Sequence, residues 1–316
     1  MALPRTKAGS NAKHQQKSSP AELVDALNAL FGPQTHGRAV HAKGIVLTGS
    51  FLPGPAAATL SRAPHFQEPV SLTARFSNFT GNTEISDIDP MANPRGLSLK
   101  FHLPDGSETD LVTHSFNGFP AATADEFREF LIALATSGPD TPTPTPADLF
   151  FAAHPVAKHF LEHQQPAPVS FATLAYFGVN SFEFTNDQGD ATIGRYRIAP
   201  EAGIHFLSDD QRANAEPNYL SAEIRRRIAR EPVRFEFRVQ IAESSDQIEN
   251  PSIAWPDSRK TVDLGTIEMT RAVEDSESAQ RTLLFLPGVL PEGIAAADPM
   301  IRARNDSYPI SYDRRH

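Results

Sequence analysis

Eleven histidines, five tyrosines and no cysteine set the chemistry open to this 316-residue chain. Without thiols there is no disulfide, cysteine nucleophile, zinc finger or iron–sulfur cluster, so any metal or haem must use His, Tyr, Met or carboxylate ligands. Three segments set such groups beside arginine. Arg38-Ala39-Val40-His41-Ala42-Lys43-Gly44 runs into a strand-like stretch. Arg75-Phe76-Ser77 lies on a second stretch and is followed by Asn93-Pro94-Arg95-Gly96. Arg304-Asn305-Asp306-Ser307-Tyr308-Pro309 lies near the C-terminus. An imidazole accepts and releases protons near neutral pH, which suits general acid–base work. Taken alone, His41 reads more simply as a hydrogen-bonded core histidine. Arg304 and Tyr308, four apart, read equally as a stacked pair on a helix surface.

Other chemistries find less support. His159 and His163 are four apart on a helical stretch beside His154, but a metal site needs a third convergent ligand and Pro155 breaks the run. Solvated helix histidines are the simpler reading. The chain has no GxGxxG, GxxxxGK[ST], HExxH or GxSxG, which disfavours Rossmann, P-loop, zincin and α/β-hydrolase chemistry. Lys and Arg total 29 against 38 Asp and Glu, a net charge of -9 with no dense basic stripe, so no nucleic acid partner is expected. No apolar run reaches the ~18 residues of a membrane span.

The elements that must hold these segments are mostly strands. Residues 1–18 carry Arg5, Lys7, Lys13 and Lys17 and no acid. They read as a disordered basic tail without a secretory signal, and a cytoplasmic location is expected. Residues 19–35 form a helical arm. Ser19-Pro20-Ala21-Glu22 is a capping box, Leu23, Ala26, Leu27 and Leu30 share one face, and Gly32-Pro33 ends it. This arm packs on the body or on a second subunit, so a homodimer is one expectation. From residue 36 onward, apolar residues alternate: Val40, Ala42, Gly44, Val46 and Thr48; Val70, Leu72, Ala74 and Phe76; Leu97, Leu99, Phe101 and Leu103, ending at the turn Pro104-Asp105-Gly106-Ser107. Phe182 and Phe184, the turn Asn186–Gly189, Ile193 to Ile198, and Val233 to Ile241 continue the pattern. A second capping box, Thr123-Ala124-Asp125-Glu126, opens a helix bearing Phe127, Phe130, Leu131 and Leu134. Residues 141–146 (TPTPTP) read as an extended spacer. The fold class is therefore α+β: a closed antiparallel β-barrel of about eight strands decorated by helices, forming one domain over residues 36–316.

Together and in this order, the three segments resemble the haem catalase superfamily from about residue 36 to His316. The likeness also takes in Gly178 to Ile198 and Trp255-Pro256. It is nearest to the short branch known as catalase-related peroxidases. RxVHAKG around His41, RFS around Ser77 and RxxxYP around Tyr308 are specific as a set.

The resemblance implies a catalase-like, haem-binding barrel with haem b held by Tyr308 as the iron ligand. A free phenol ionises only near pH ~10, so the phenolate needs iron and a neighbouring cation, the role that falls to Arg304. His41 would move the peroxide proton, with Ser77 holding its other ring nitrogen. Val40 would narrow the access channel. Arg38, Arg75 and Arg315 would meet the haem propionates, and Phe119, Phe127 and Phe130 would line the distal pocket. Large catalases place an asparagine where His114 falls here, with Asn117 out of register, and Asn93 stands for the usual Asp of DPRG. These departures shift the expected activity toward reduction of hydrogen peroxide, and of organic peroxides, by small organic donors, with weak catalase activity. The alternatives are allene oxide synthase-like rearrangement of fatty acid hydroperoxides, a minimal true catalase, or a non-catalytic haem carrier or haem-free barrel. NADPH is not expected.

Overall fold

The computed structural model describes residues 18–33 and 37–316. The expected basic tail therefore lies, apart from Ser18, outside the described residues. Ten strands are present among them: β1 (Gly44–Pro53), β2 (Val70–Ser77), β3 (Gly96–His102), β4 (Glu108–His114), β5 (Tyr176–Phe177), β6 (Phe182–Thr185), β7 (Ala191–Pro200), β8 (Val233–Ile241), β9 (Thr261–Ala272) and β10 (Ile294–Ala296). The helices are α1 (Pro20–Phe31), α2 (Pro55–Leu60), α3 (Ala124–Ala135), α4 (Pro146–Ala153), α5 (Pro155–Glu162), α6 (Asp209–Ala213), α7 (Tyr219–Ile228), α8 (Ser276–Thr282) and α9 (Pro299–Asp313).

Pairing runs β1-β2-β3-β4-β5-β7-β8-β9 and returns from β9 to β1, so eight strands close a ring. β6 and β10 extend outward from β7. Every pairing is antiparallel. Closure removes the strand edges that would otherwise invite pairing with another chain.

One face of each strand fills the barrel. Leu72, Ala74 and Phe76 of β2, Leu97, Leu99 and Phe101 of β3, and Phe235, Phe237 and Val239 of β8 are all buried in one cluster. Their rings interlock, with Phe51 edge-on to Phe237 at 5.4 Å and Phe76 stacked on Phe171 at 5.0 Å between centroids. Each such ring buries enough surface that truncation costs about 3–5 kcal/mol.

Some local expectations need correction. β1 begins only at Gly44, and its core face is the odd-numbered set Ile45, Leu47 and Phe51, not Val40 to Thr48. Val46 is buried on the other side, where its N–H donates to Ser276 Oγ at 2.7 Å. β4 and β9 have no clean alternation. In β9, Leu264 has no partner opposite β8 and Thr270 none opposite β1. Each such bulge swaps the inward and outward faces for the residues beyond it. The Thr123 cap holds, but the Glu126 carboxylate accepts from Ala122 N, so this box is only half formed. The last two residues of the TPTPTP run belong to α4: Thr145 is its N-cap in a full capping box with Asp148.

α1 has the anticipated Ser19–Glu22 box and stops at Gly32, whose φ of 86° favours glycine. It packs on its own chain: Ala26 meets Phe130 and Leu131 of α3, and Asp25 pairs with Arg314 at 2.7 Å. No described helix is long and apolar enough to cross a membrane.

Candidate active site

The outer faces of β2, β3 and β4 do not meet solvent where α1, α3 and α9 cover them. Between these layers lies a cavity whose empty space, open mouth included, is about 1370 Å³. Arg75 and Ser77 of β2, Gly96 and Ser98 of β3, and Val112 and His114 of β4 line one side. The loop before β1 adds Arg38, Val40 and His41, and α9 with the residue after its cap adds Arg304, Tyr308 and Arg315. Phe119 and Phe127 complete the expected set. Phe130, expected there too, is instead buried in the cluster between α1 and α3. Asn117 borders a separate cavity beside Ser252 and His159.

His41 sits at φ 56°, the left-handed region that side-chain-bearing residues avoid. Such strain costs about 1–3 kcal/mol and persists only where the surroundings over-determine it. Here they do. His41 N–H donates to Phe79 O at 2.9 Å, its carbonyl accepts from Arg75 at 2.8 Å, and its Nδ1 lies 3.0 Å from Ser77 Oγ. The imidazole also stands edge-on to Phe79 at 5.5 Å. Gly96 makes this approach possible, because a Cβ there would lie 2.6 Å from Ser77 Oγ and 2.9 Å from His41 Nδ1. Burial, then the Arg75 charge, holds the His41 imidazolium well below its ordinary range. The ring is therefore neutral, and in the tautomer in which Nδ1–H donates to Ser77 Oγ, Nε2 is left to accept a proton.

Three guanidiniums gather at another part of the cavity. Arg75 Nε and one terminal nitrogen donate to Gln280 Oε1 at 3.0 and 2.8 Å. Arg38 donates to Gln280 O and Leu283 O, and Arg315 also reaches Leu283 O at 2.9 Å. Their partners are all neutral, and Arg315 Nε has none. Burial pushes all three pKa values down, with repulsion from neighbouring guanidiniums adding to it for Arg38 and Arg75, and Arg75 falls to about 9. Burying a charge without a counter-ion is strongly unfavourable. An anion with several oxygens would complete the arrangement, as two carboxylates of a haem edge would provide.

α9 carries the last group. Asp298 caps it by accepting from Met300 N at 2.7 Å, Pro299 occupies its first position, and the helix runs through Pro309. One turn apart, Arg304 Nε donates to Tyr308 Oη at 2.9 Å. Arg304 also donates to Asn180 Oδ1, whose amide donates to Asp298 Oδ2 at 2.8 Å. The guanidinium beside Tyr308 is thus fixed at both ends, with its Nε against the phenol oxygen. A tyrosine with a fixed cation, an unneutralised arginine cluster and a neutral acid–base histidine meet the donor set that haem b requires.

Comparison with known proteins agrees. The family model described as Catalase matches residues 19–316. The chain belongs to the catalase family. It is 34% identical over 298 residues to the catalase-related peroxidase of Mycolicibacterium paratuberculosis, with 93% of each chain covered. It is 31% identical over 304 residues to that of Synechococcus elongatus, covering 94% of this chain and 88% of the relative. Against Catalase-2 of Bacillus subtilis the identity is 26%, and only 42% of that longer protein is spanned. A fungal catalase shares the fold with a TM-score of 0.79 at 18% identity, this chain covering 66% of it. A bacterial catalase gives 0.77, with 64% of it covered. The chain therefore sits in the short branch of the catalase family.

Sequence reasoning missed several supporting residues. Asn180 and Gln280 have no local signal, since each meets its arginine across more than a hundred residues. Asp298-Pro299 was readable as a helix start. Asp87 is another: it pairs with Lys43 at 2.7 Å, accepts from Asn78 at 2.8 Å and holds the loop beside His41. Among the described residues, the three histidines of this stretch do not form a three-ligand metal cluster. His159 stacks on His163 at 4.0 Å, while His154 stacks on Phe150.

Proposed function

We propose that this protein is a haem-dependent peroxidase that reduces hydrogen peroxide with small organic electron donors, and that oxygen release is its lesser activity. One observation carries the reading: His41–Ser77, Arg304–Tyr308 and the uncompensated Arg38, Arg75 and Arg315 line a single cavity. Tyr308 would hold the iron and the arginines would hold the propionates. Haem b, so bound, would supply the redox centre at which the peroxide O–O bond breaks.

The residues of the chain then have distinct tasks. His41 Nε2 takes a proton from one peroxide oxygen and returns it to the other, so that water leaves. A positioned shuttle of this kind is worth ~10²–10⁴ in rate, and Ser77 helps keep the His41 ring in the tautomer that permits it. Arg304 keeps a positive charge against the Tyr308 oxygen. Val40 and Phe127 add apolar wall that limits water. Relatives of similar length are named catalase-related peroxidases, which favours reduction over hydroperoxide rearrangement. Oxygen release takes the smaller share because His114 offers the cavity one ring nitrogen, its Nδ1 being occupied by Phe116 N–H.

The test is to follow donor oxidation and oxygen evolution together on the haem-loaded protein at low peroxide. Ready oxidation of phenolic or dye donors with weak oxygen release is expected. Oxygen release that dominates, with negligible donor oxidation, would make the protein a minimal catalase.

A further inference from the structure

The three guanidiniums of the cavity converge on one short stretch of chain, the end of α8. Ser276, the first residue of α8, ties it to the barrel wall, its Oγ accepting from the N–H of Val46 at 2.7 Å. Gln280 lies one turn further on, so it shares the face turned to the barrel. Its side-chain Oε1 accepts from Nε and Nη2 of Arg75 at 3.0 and 2.8 Å. Its backbone carbonyl accepts from Arg38 at 3.1 Å. The carbonyls of Arg281 and Leu283 take Arg315, and that of Leu283 takes Arg38 as well. Carbonyls at the end of a helix lack intrahelical partners and favour cations.

The grip of Gln280 Oε1 on Arg75 follows the fork that a carboxylate normally offers a guanidinium. Gln and Glu share length and shape, and they differ in charge. A glutamate here would neutralise Arg75, whereas the amide orients the guanidinium and leaves its charge whole. Among the described residues no carboxylate makes up the difference at Arg38, Arg75 or Arg315. Arg75 Nη2 also donates to the carbonyls of His41 and Ala42, and its Nη1 has no hydrogen-bond partner there. Glu277, the one acid within α8, pairs instead with Arg281 at 3.6 Å, both side chains exposed. The cluster is held still without being neutralised.

We propose that Gln280 is a specificity-determining residue: by orienting Arg75 as a neutral amide, it reserves the arginine cluster for a ligand edge that carries two carboxylates. The inference rests on the haem reading for the identity of that ligand. A porphyrin with free propionates is then favoured over one with the same ring and esterified propionates. Iron plays no part in this discrimination, because the cluster reads the edge of the ring and not its centre.

Metal-free protoporphyrin IX and its dimethyl ester, titrated against the full chain by porphyrin fluorescence, test the proposal without iron or turnover. The unmodified chain should bind the diacid about tenfold or more tighter than the diester, the effect of one hydrogen bond to a charged group. Gln280→Glu should weaken the diacid by a similar factor and the diester little, so that the preference collapses. Gln280→Met, of similar length but without the amide, leaves Arg75 charged and loosely held. It should lose several-fold in diacid affinity and keep the preference. A preference that survives in Gln280→Glu, or that collapses equally in Gln280→Met, overturns the proposal. If the unmodified chain binds neither porphyrin, the haem reading fails and a second measurement decides this inference. Inorganic phosphate, added to the empty chain at constant ionic strength, should raise the unfolding midpoint of the unmodified protein and of Gln280→Met, but not of Gln280→Glu. Equal protection of all three, or of none, overturns it.

Discussion

On β2, Leu72, Ala74 and Phe76 turn into the barrel, while Arg75 and Ser77 turn outward beneath the helices. β3 repeats the division with Leu97 and Leu99 inside and Gly96 and Ser98 outside. β4 repeats it with Leu111 inside and Val112 and His114 outside. Adjacent residues of the same strands thus build a self-contained apolar core and a buried polar wall. The inner face satisfies itself, ring against ring. The outer face does so only in part. Lys100 and Asp110, cross-strand neighbours there, pair at 2.9 Å, whereas the arginines around Arg75 find neutral acceptors only. A strand face that is polar yet covered, with charges left unneutralised, marks where a ligand belongs.

The division makes the two faces separable by mutation. His41→Ala should give the largest change, slowing the reaction with peroxide by ~10²–10⁴ while haem uptake and thermal stability stay nearly unchanged. Stopped-flow mixing with peroxide checks this, and an unimpaired rate removes His41 from the proton transfer. Phe237→Ala, on the inner face, should do the reverse. A loss of about 3–5 kcal/mol is expected in denaturant unfolding, with turnover per folded molecule kept. Loss of activity without loss of stability would erase the distinction between the faces.

A subtler difference lies in pH. His65 is buried in the barrel core, stacked on Phe101 at 5.0 Å, with Nδ1 unpartnered. Burial lowers its pKa from 6.5 to about 3. The unfolded chain therefore takes up a proton near pH 6.5 that the folded chain refuses until about pH 3. Stability is full above that window and falls as pH drops through it, by about 1.4 kcal/mol per unit. His65→Phe should take about 1.4 kcal/mol per unit off the acid slope without touching peroxide chemistry, the shares of His41 and His114 remaining, and an equally steep acid loss in the variant contradicts the assignment. The smallest effect belongs to Ser77→Ala. Losing one hydrogen bond of about 1 kcal/mol frees the His41 ring, so the peroxide rate should fall several-fold and haem affinity should not. Equal rates for Ser77→Ala and the unmodified protein would show that the Phe79 contact and the backbone bonds of His41 hold the residue without Ser77.

Sequence pattern revealed the inner face best because period-two apolar runs such as Leu72-Ala74-Phe76 report burial directly. It failed at β9, where the bulges at Leu264 and Thr270 break the phase. It also failed at β1, where Ile45, Val46 and Leu47 are buried on both faces so that alternation carries no sign. The outer face follows another rule. Arg75, Ser77 and His114 look like a solvated face until helices far along the chain cover them. Only the joint order of the segments around His41, Ser77 and Tyr308 exposed them as a set. Residues that act through distant contacts, such as Asn180 on Arg304 and Gln280 on Arg75, carry no local mark.

The central claim is that the covered outer face holds haem through Tyr308. The visible spectrum of the purified chain loaded with haem b, beside that of Tyr308→Phe, tests it most directly. The predicted result is a Soret band with high-spin ferric, phenolate-type features in the unmodified protein, and lost or sharply weakened haem uptake in the variant. An unchanged spectrum and unchanged peroxide turnover in Tyr308→Phe would contradict it.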